Sequence, residues 1–296
     1  MAESTTAPPH LQKVLNFRDV GLSINNFSNK NFFKTGLLYR SGIPDDASPG
    51  DRLALQQDYK IQTIIDLRTD SEHVEQARKN AKSKPPSASP VAEPRDPAKA
   101  WRVPGVKYEY INFNGRAYSN ALIKQLSYRN TAKLFGLYLI GYRTQAISVL
   151  GENVMAKRGL IGLAEDSLAH CINEVKAIFD VLSNEQNYPL LVHCTQGKDR
   201  TGLTVLLVLL LCETPTDAID RDYMLSETEL ASEREKRLVE IRAIGLPDEF
   251  AGCAKGWVET VSKWIEEEYG GIRRYLQRCG VGQEQQDRVR SILLQA

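Results

Sequence analysis

The stretch from Leu190 to Gly202 (LLVHCTQGKDRTG) constrains this chain more than any other. Pro189 to Val192 is short, apolar and bounded by breakers, the pattern of a fully buried strand. From Thr201 to Cys212 nearly every residue is apolar, so a buried helix follows. Between them runs a tight polar loop that begins with Cys194 and ends with Arg200. A loop that closes onto a helix N-terminus turns backbone N–H groups and the positive end of the helix dipole inward, which makes an anion site. Cys194 stands at the strand end, at the bottom of that site. The same amides, Lys198 and Arg200 favour its thiolate. The Arg200 guanidinium offers a planar fork for two phosphate oxygens, and Thr201 is placed to donate its hydroxyl to the sulfur. A nucleophile beneath an oxyanion cradle implies phosphoryl transfer through a phosphocysteine. A nucleotide loop is excluded. GxxxxGK[ST] would need glycine at 192 and Ser or Thr at 199, where the chain has Val192 and Asp199.

His193-Cys194-x5-Arg200-Thr201 resembles the signature loop of cysteine-based protein phosphatases. The full string HCTQGKDRTG is similar to that of the atypical tyrosine/dual-specificity branch, which includes secreted bacterial triple-specificity phosphatases. Further stretches carry the resemblance from about residue 14 to 294. Asn16 to Gly21 (NFRDVG) resembles the family's NFRDVGG, with Leu22 in place of the second glycine. Leu38–Gly42 (LYRSG), Asp66-Leu67-Arg68, Asp222–Ser226 (DYMLS) and the C-terminal helices match as well. The resemblance implies an α/β fold, a central mostly parallel twisted sheet flanked by helices, with a helical lid-like insertion over the site. It also implies that Asp199, the aspartate of GKDR, is the proton donor for the leaving oxygen.

The rest of the chain fits one phosphatase domain over 13–296. Residues 1–12 are small and polar and read as a disordered N-terminus. Phe17 and Val20 are expected to pack inward, with Arg18 and Asp19 paired at the edge of the site. Phe32 to Ser41 reads as a hairpin or strand pair turning at Gly36, and Asp51 to Tyr59 as a short helix. Ile61 to Leu67 is a β-branched strand, after which Ser71 is expected to cap a helix carrying Glu72 and Glu75. A strand ending in Asp66 delivers that carboxylate to the side where open α/β sheets bind ligands. Residues 82–100 are rich in Pro, Ser and Ala and read as a flexible inserted loop, followed by a strand over Val106 to Phe113. Residues 117 to about 160 read as helical. Tyr and Phe recur there at helical spacing, which suits core packing or, by the resemblance, a lid that shields the thiolate. Glu165 to Leu182 reads as one amphipathic helix with Cys171 on its core face. Thr214 is the expected cap, with Pro215 first in the next helix.

Composition limits the function classes. The chain has 296 residues, 42% hydrophobic and 25% charged, as in ordinary soluble domains, and a net charge of +1. Such a balance implies no global attraction to nucleic acid or to an anionic membrane. Five cysteines without regular spacing argue against a disulfide framework, and a catalytic thiolate needs a reducing compartment. The start carries no signal peptide, and the longest apolar run is too short to span a bilayer. A cytoplasmic protein without stable membrane insertion is the expectation. No cofactor is needed and no metal-ligand spacing is present.

The general acid is the open assignment. Between Trp101 and Leu150 there is no aspartate and one glutamate, Glu109, so a donor on a separate upstream loop is missing. Asp199 is the first candidate and Asp66 the second. The expected site is therefore Cys194, Arg200 and Asp199 for catalysis; Thr195, Gln196, Gly197, Lys198, Thr201 and Asp66 around the phosphate; and His193, Arg18 and Asp19 in support. The expected activity is that of a protein tyrosine phosphatase with room for dual specificity. The alternatives are a phosphoinositide or inositol-phosphate phosphatase, suggested by Lys198 as a second cation in the cradle, and a catalytically poor phosphate-binding module.

Overall fold

The computed structural model describes residues 10–80 and 102–295. Five short strands form one sheet: β1 (Arg18–Asp19), β2 (Leu38–Ser41), β3 (Thr63–Asp66), β4 (Lys107–Tyr110) and β5 (Leu190–His193), in the spatial order β1-β2-β5-β3-β4. β2, β5, β3 and β4 run parallel, and β1 is antiparallel to β2. Central β5 is buried at every position. A strand covered on both faces reads as a continuous apolar run, which is what Leu190-Leu191-Val192 supplies. Side chains still alternate between the faces. Leu38, Ile65, Leu190 and Val192 enter the larger core, and Tyr39, Ile64 and Leu191 the smaller one.

Helices fill both faces. α1 (Val20–Ser28), α2 (Pro49–Gln57) and α3 (Asp70–Asn80) precede β4. α4 (Arg116–Lys124), α5 (Tyr128–Leu139), α6 (Arg143–Leu150), α7 (Ala156–His170) and α8 (Ile172–Leu182) separate β4 from β5. After β5 come α9 (Asp199–Leu211), α10 (Thr216–Glu229), α11 (Arg234–Ala243), α12 (Trp257–Tyr269), α13 (Ile272–Arg278) and α14 (Gln283–Leu293). α9 is the spine. It is buried along nearly its whole length, with α10, α13 and α14 packed against it. Its freedom of movement is therefore small, and so is that of the loop that opens it.

Strand register positions the site. His193 stands level with Ser41 on one side and Asp66 on the other. Whatever leaves the carboxyl ends of β2, β3 and β5 emerges at one edge of the sheet. There Ile43 N–H donates to the Thr195 carbonyl and Leu67 N–H to the His193 carbonyl, at 3.1 and 2.9 Å.

Several local expectations change. Order begins within the first dozen residues: Leu11 and Val14 are buried in the smaller core, and the backbone N–H groups of Gln12 and Lys13 donate to Asp51. The rest of the expected disordered N-terminus, and the loop over 82–100, lie outside the described residues. Phe32 to Ser41 is not a hairpin. Only Leu38–Ser41 is a strand, and Phe33 bridges instead to Leu294. The helix over Glu165 to Leu182 breaks at Cys171, whose φ of −103° and ψ of 39° end α7 before α8 begins. Its apolar face survives the break, because Leu168, Cys171, Val175, Phe179 and Leu182 all reach the core. α10 begins one residue later than expected, with Pro215 as its cap.

Candidate active site

The loop between β5 and α9 is built by clamps on its outer side. Asn16 sits with φ at 56° and donates its Nδ2 amide to the carbonyls of Gln196 and Gly197, both at 3.0 Å. Arg40, at the end of β2, donates to the same Gly197 carbonyl at 2.8 Å. In a planar trans peptide the carbonyl and the following N–H point opposite ways. Holding the carbonyls of 196 and 197 outward therefore turns the N–H groups of Gly197 and Lys198 inward. The Gly197 N–H is found donating to Cys194 Sγ at 3.3 Å. Gly197 is required there: its φ is +69°, and a Cβ would lie 2.1 Å from the Ser41 carbonyl oxygen.

The clamp has its own support. Asp222 on α10 is buried between two guanidiniums, 2.7 Å from Arg18 and 2.5 Å from Arg40. Arg18 also donates to Ser226 and to the Asp222 carbonyl. Burial, then repulsion from Arg18, brings Arg40 down to about 10, with Asp222 acting against both. Burial alone would raise Asp222, but Arg18 and Arg40 together hold it below its ordinary value. Arg40 and Asp222 are both ionised at neutral pH. This trio corrects the expected Arg18–Asp19 pair. Asp19 instead caps α1 through Leu22 N–H and accepts from Gly36 N–H. The strand pairing explains the difference, because neighbouring strand residues face opposite sides of a sheet.

On the other side of the loop stands Glu72, which the sequence places on a helix after β3 but does not assign to the site. Both its oxygens meet Arg200, each at 2.6 Å, and Thr195 Oγ1 donates to it as well. Burial alone would raise the Glu72 carboxyl and lower the Arg200 guanidinium. Their mutual bonding more than offsets both, so the pair stays ionised. Arg200 Nη1 also donates to the Leu67 carbonyl at 3.1 Å. Nη1 and Nη2 are thus engaged at the tip of the guanidinium, and Nη2 also donates to Thr195 Oγ1 at 3.4 Å. The Nε side is what faces phosphate oxygens without a protein partner in the way among the described residues. The signal for Glu72 was in the sequence. Thr69-x-x-Glu72 directly after a strand is a capping box, and Thr69 N–H does donate to Glu72 at 2.9 Å. The cap of α3 is accordingly Thr69, not Ser71. Glu72→Gln, which removes the charge and keeps the shape, is expected to lower kcat/KM by about 10- to 100-fold through a misplaced guanidinium. Steady-state kinetics with a thermal melt checks this: an unchanged kcat/KM, or a loss matched by unfolding, overturns the positioning role.

The remaining predicted residues are placed as follows. Cys194 is 3% exposed. His193 is fully buried, with Nδ1 3.1 Å from the Cys194 carbonyl oxygen, and burial keeps its imidazole below the ordinary value. Asp66 is buried and committed. It lies 2.6 Å from Arg68 and 3.6 Å from the imidazoles of His193 and His73. Burial would raise it, but the nearby His193 and the bonds from Arg68 bring it down to about 2. A carboxyl so acidic holds no proton at neutral pH, so Asp66 is corrected from second candidate acid to anchor of Arg68. Asp199 opens α9, is 48% exposed and lies 3.7 Å from Lys198 Nζ. Lys198 does not bring a second cation to the phosphate. Its buried ammonium donates to the carbonyls of Phe250 and Gly252, at 3.1 and 2.6 Å. Thr201 is buried and its hydroxyl makes no hydrogen bond among the described residues, so the expected bond to sulfur is not formed. Gln196 and Thr195 line a cleft of about 590 Å³ that also takes in Lys13, Ile43 and Arg237.

Burial pushes Cys171 and Cys212 up to about 12 and Cys253 and Cys279 up to about 11. Among the described residues no group of three His, Cys, Asp or Glu side chains is arranged to hold a metal ion.

A triple specificity protein phosphatase, PtpB of Mycobacterium tuberculosis, is 32% identical over 125 residues, 36% of this chain and 44% of that protein. A tyrosine-protein phosphatase of Nostoc commune is 28% identical over 175 residues, 51% of this chain and 58% of that protein. The chain thus spans about half the length of the curated relatives it matches. Among solved structures, the core catalytic domain of PP-IP phosphatase SIW14 from S. cerevisiae, in complex with citrate, covers 92% of this chain and 96% of its own at 15% identity. Its TM-score of 0.37 is too slight a likeness to add to the argument. Residues 9–295 match the tyrosine phosphatase family, so nearly the whole chain, clamps and loop included, belongs to that family.

Proposed function

We propose that residues 13–296 act as one phosphatase domain that hydrolyses phosphomonoesters through a phosphocysteine, with phosphotyrosine in proteins as the first substrate. The observation that carries this reading is the Gly197 N–H donating to Cys194 Sγ at the start of α9, with Arg200 held open on the same loop. Cys194 Sγ attacks phosphorus in line. Loop amides from 195 to 200 and the Nε side of Arg200 take the equatorial oxygens, where charge grows in the transition state. Asp199 protonates the leaving oxygen and then activates the water that frees the sulfur. A buried sulfur favours phosphate carried on a long rigid arm, which is why phosphotyrosine is placed before phosphoserine and phosphothreonine. Lys198 was the reason for an inositol-phosphate reading, and its ammonium is occupied by Phe250 and Gly252. A reducing, cytoplasmic setting suits the thiolate. No helix among the described residues is long and apolar enough to cross a membrane.

The test is hydrolysis of p-nitrophenyl phosphate, with chelator and reductant present and no metal added. Turnover is expected, and an inert protein under these conditions sinks the reading. Asp199→Asn refines it. With phenyl phosphate, whose leaving group needs a proton, kcat is expected to fall by about 10²- to 10⁴-fold. With p-nitrophenyl phosphate the loss should be much smaller. Equal losses on both substrates would take the acid role away from Asp199.

A further inference from the structure

The net charge of +1 conceals an uneven distribution. From Tyr110 to Gly151 there is no aspartate or glutamate, while Arg116, Lys124, Arg129, Lys133 and Arg143 are all present and all exposed. The same segment carries the α5–α6 hairpin. Its inner side is a small core of its own, Leu134, Ala146 and Val149 packed with Leu126, Leu137 and Leu150. Its outer side is also apolar. Tyr128 is 97% exposed, Leu139 85%, Ile140 68%, and Phe135, Tyr138 and Tyr142 are each more than half exposed. Helical spacing sets Tyr128, Ala132, Phe135 and Leu139 on one stripe of α5, with Arg129 and Lys133 along its border. At the turn, Arg143 lies over the Tyr138 ring, 5.6 Å from its centroid. Tyr128, Phe135, Tyr138 and Tyr142 thus stand in solvent, whereas Tyr118 joins the core.

A patch of this kind marks an interaction surface. We propose that the α5–α6 hairpin is a peripheral membrane anchor: its tip, Leu139-Ile140-Gly141-Tyr142, enters the interface of an anionic bilayer, and the surrounding cations rest on the lipid phosphates. Exposed apolar and aromatic residues beside a basic border are the make-up of helices that lie in a membrane interface. Juxtaposed Lys and Arg add attraction to an anionic leaflet that salt screens. Charge also selects among occupants. A second copy packed face to face would set cations against cations, whereas an anionic leaflet complements the hairpin's own Arg129, Lys133 and Arg143.

The test uses the full chain and sedimentation with vesicles of phosphatidylcholine alone or with about one-third phosphatidylserine. Wild type is expected to sediment with the anionic vesicles, and to be released by 0.5 M salt, roughly an ionic strength that shortens the screening length below 5 Å. Leu139→Glu/Ile140→Glu, at exposed positions where folding is untouched, should weaken partitioning at least about tenfold while hydrolysis of p-nitrophenyl phosphate stays unchanged. Arg129→Glu/Lys133→Glu should weaken it as well, with the apolar tip intact. The proposal falls if wild type ignores anionic vesicles, or if both double variants bind as wild type does. It also falls if the tip variant only dissolves a dimer seen by light scattering, or only alters turnover with vesicles unbound, since the face would then serve a second copy or the catalytic loop. Sedimentation does not depend on turnover, so this result stands apart from the activity reading.

Discussion

Cys194→Ser is expected to reduce turnover of p-nitrophenyl phosphate by at least about 10⁴-fold while leaving the fold and phosphate binding in place. The hydroxyl is similar in size to the thiol and still accepts from Gly197 N–H, so the loop keeps its shape. What disappears is the sulfur nucleophile, because a serine hydroxyl in its place has no free base to take its proton. Glu72 is engaged with Arg200 and Thr195, and Asp66 with Arg68, so neither carboxylate is free to serve as that base. Single-turnover kinetics checks the chemistry: wild type should release p-nitrophenol in a burst matching the enzyme concentration if phosphocysteine hydrolysis is slow, and the variant should show none. A variant that retains a tenth of the activity would show that sulfur is not the nucleophile, and the phosphocysteine route would be lost.

Asp222→Asn is expected to be the most destabilising single substitution near the site, by about 3–5 kcal/mol. The reason is the pair of buried cations it strands. Arg40 is fully buried and Arg18 nearly so, and Asp222 is the carboxylate that bonds both. For a domain of this size the melting temperature should drop by roughly 10 °C. Activity should fall below the loss explained by unfolding, since Arg40 holds the Gly197 carbonyl outward and so aims an amide at the sulfur. The effect has a pH sign. Asp222 ionises below its ordinary value when folded, so its contribution is complete above the usual carboxylate range and is lost as pH falls through the native value. Wild type and variant should therefore converge in strong acid. A melting temperature within about 2 °C of wild type at pH 7 would show that the trio carries no net stability, as some buried ion pairs do.

Legibility in the sequence followed the range of the interactions. β5, the loop and α9 were readable together, because a buried parallel strand and a buried helix both write continuous apolar runs and the loop between them has few polar residues to spare. α12 is encoded as locally, since Val258, Val261 and Ile265 make one buried apolar face at helical spacing. Glu72 was legible as a capping residue at Thr69-x-x-Glu72, yet its bond to Arg200 spans 128 positions of chain, which no local pattern encodes. The break at Cys171 was not legible, because α7 and α8 keep the same apolar face across it. Lys198 misled for a related reason. Sequence shows a cation in the loop, and only the packing of the Asp248–Ala251 turn against the loop shows that its ammonium ends on backbone carbonyls.

By itself the sequence determined the chemistry of the site and the elements that present it: a cysteine at a strand end, an arginine at a helix start, and a glycine where only glycine fits the backbone. Those are set by the dihedral needs and apolar periodicity of neighbouring residues. Tertiary structure alone decided how the loop is aimed. Asn16 and Arg40 hold its carbonyls from outside, with Asp222 holding Arg40; Glu72 fixes the guanidinium from the far side, and Arg18 joins Arg40 on Asp222 rather than pairing with Asp19. Ionic and hydrogen-bonding partners are chosen by proximity after the sheet has brought β1, β2, β3 and β5 together, and that proximity is a property of the register of the strands, not of any one of them.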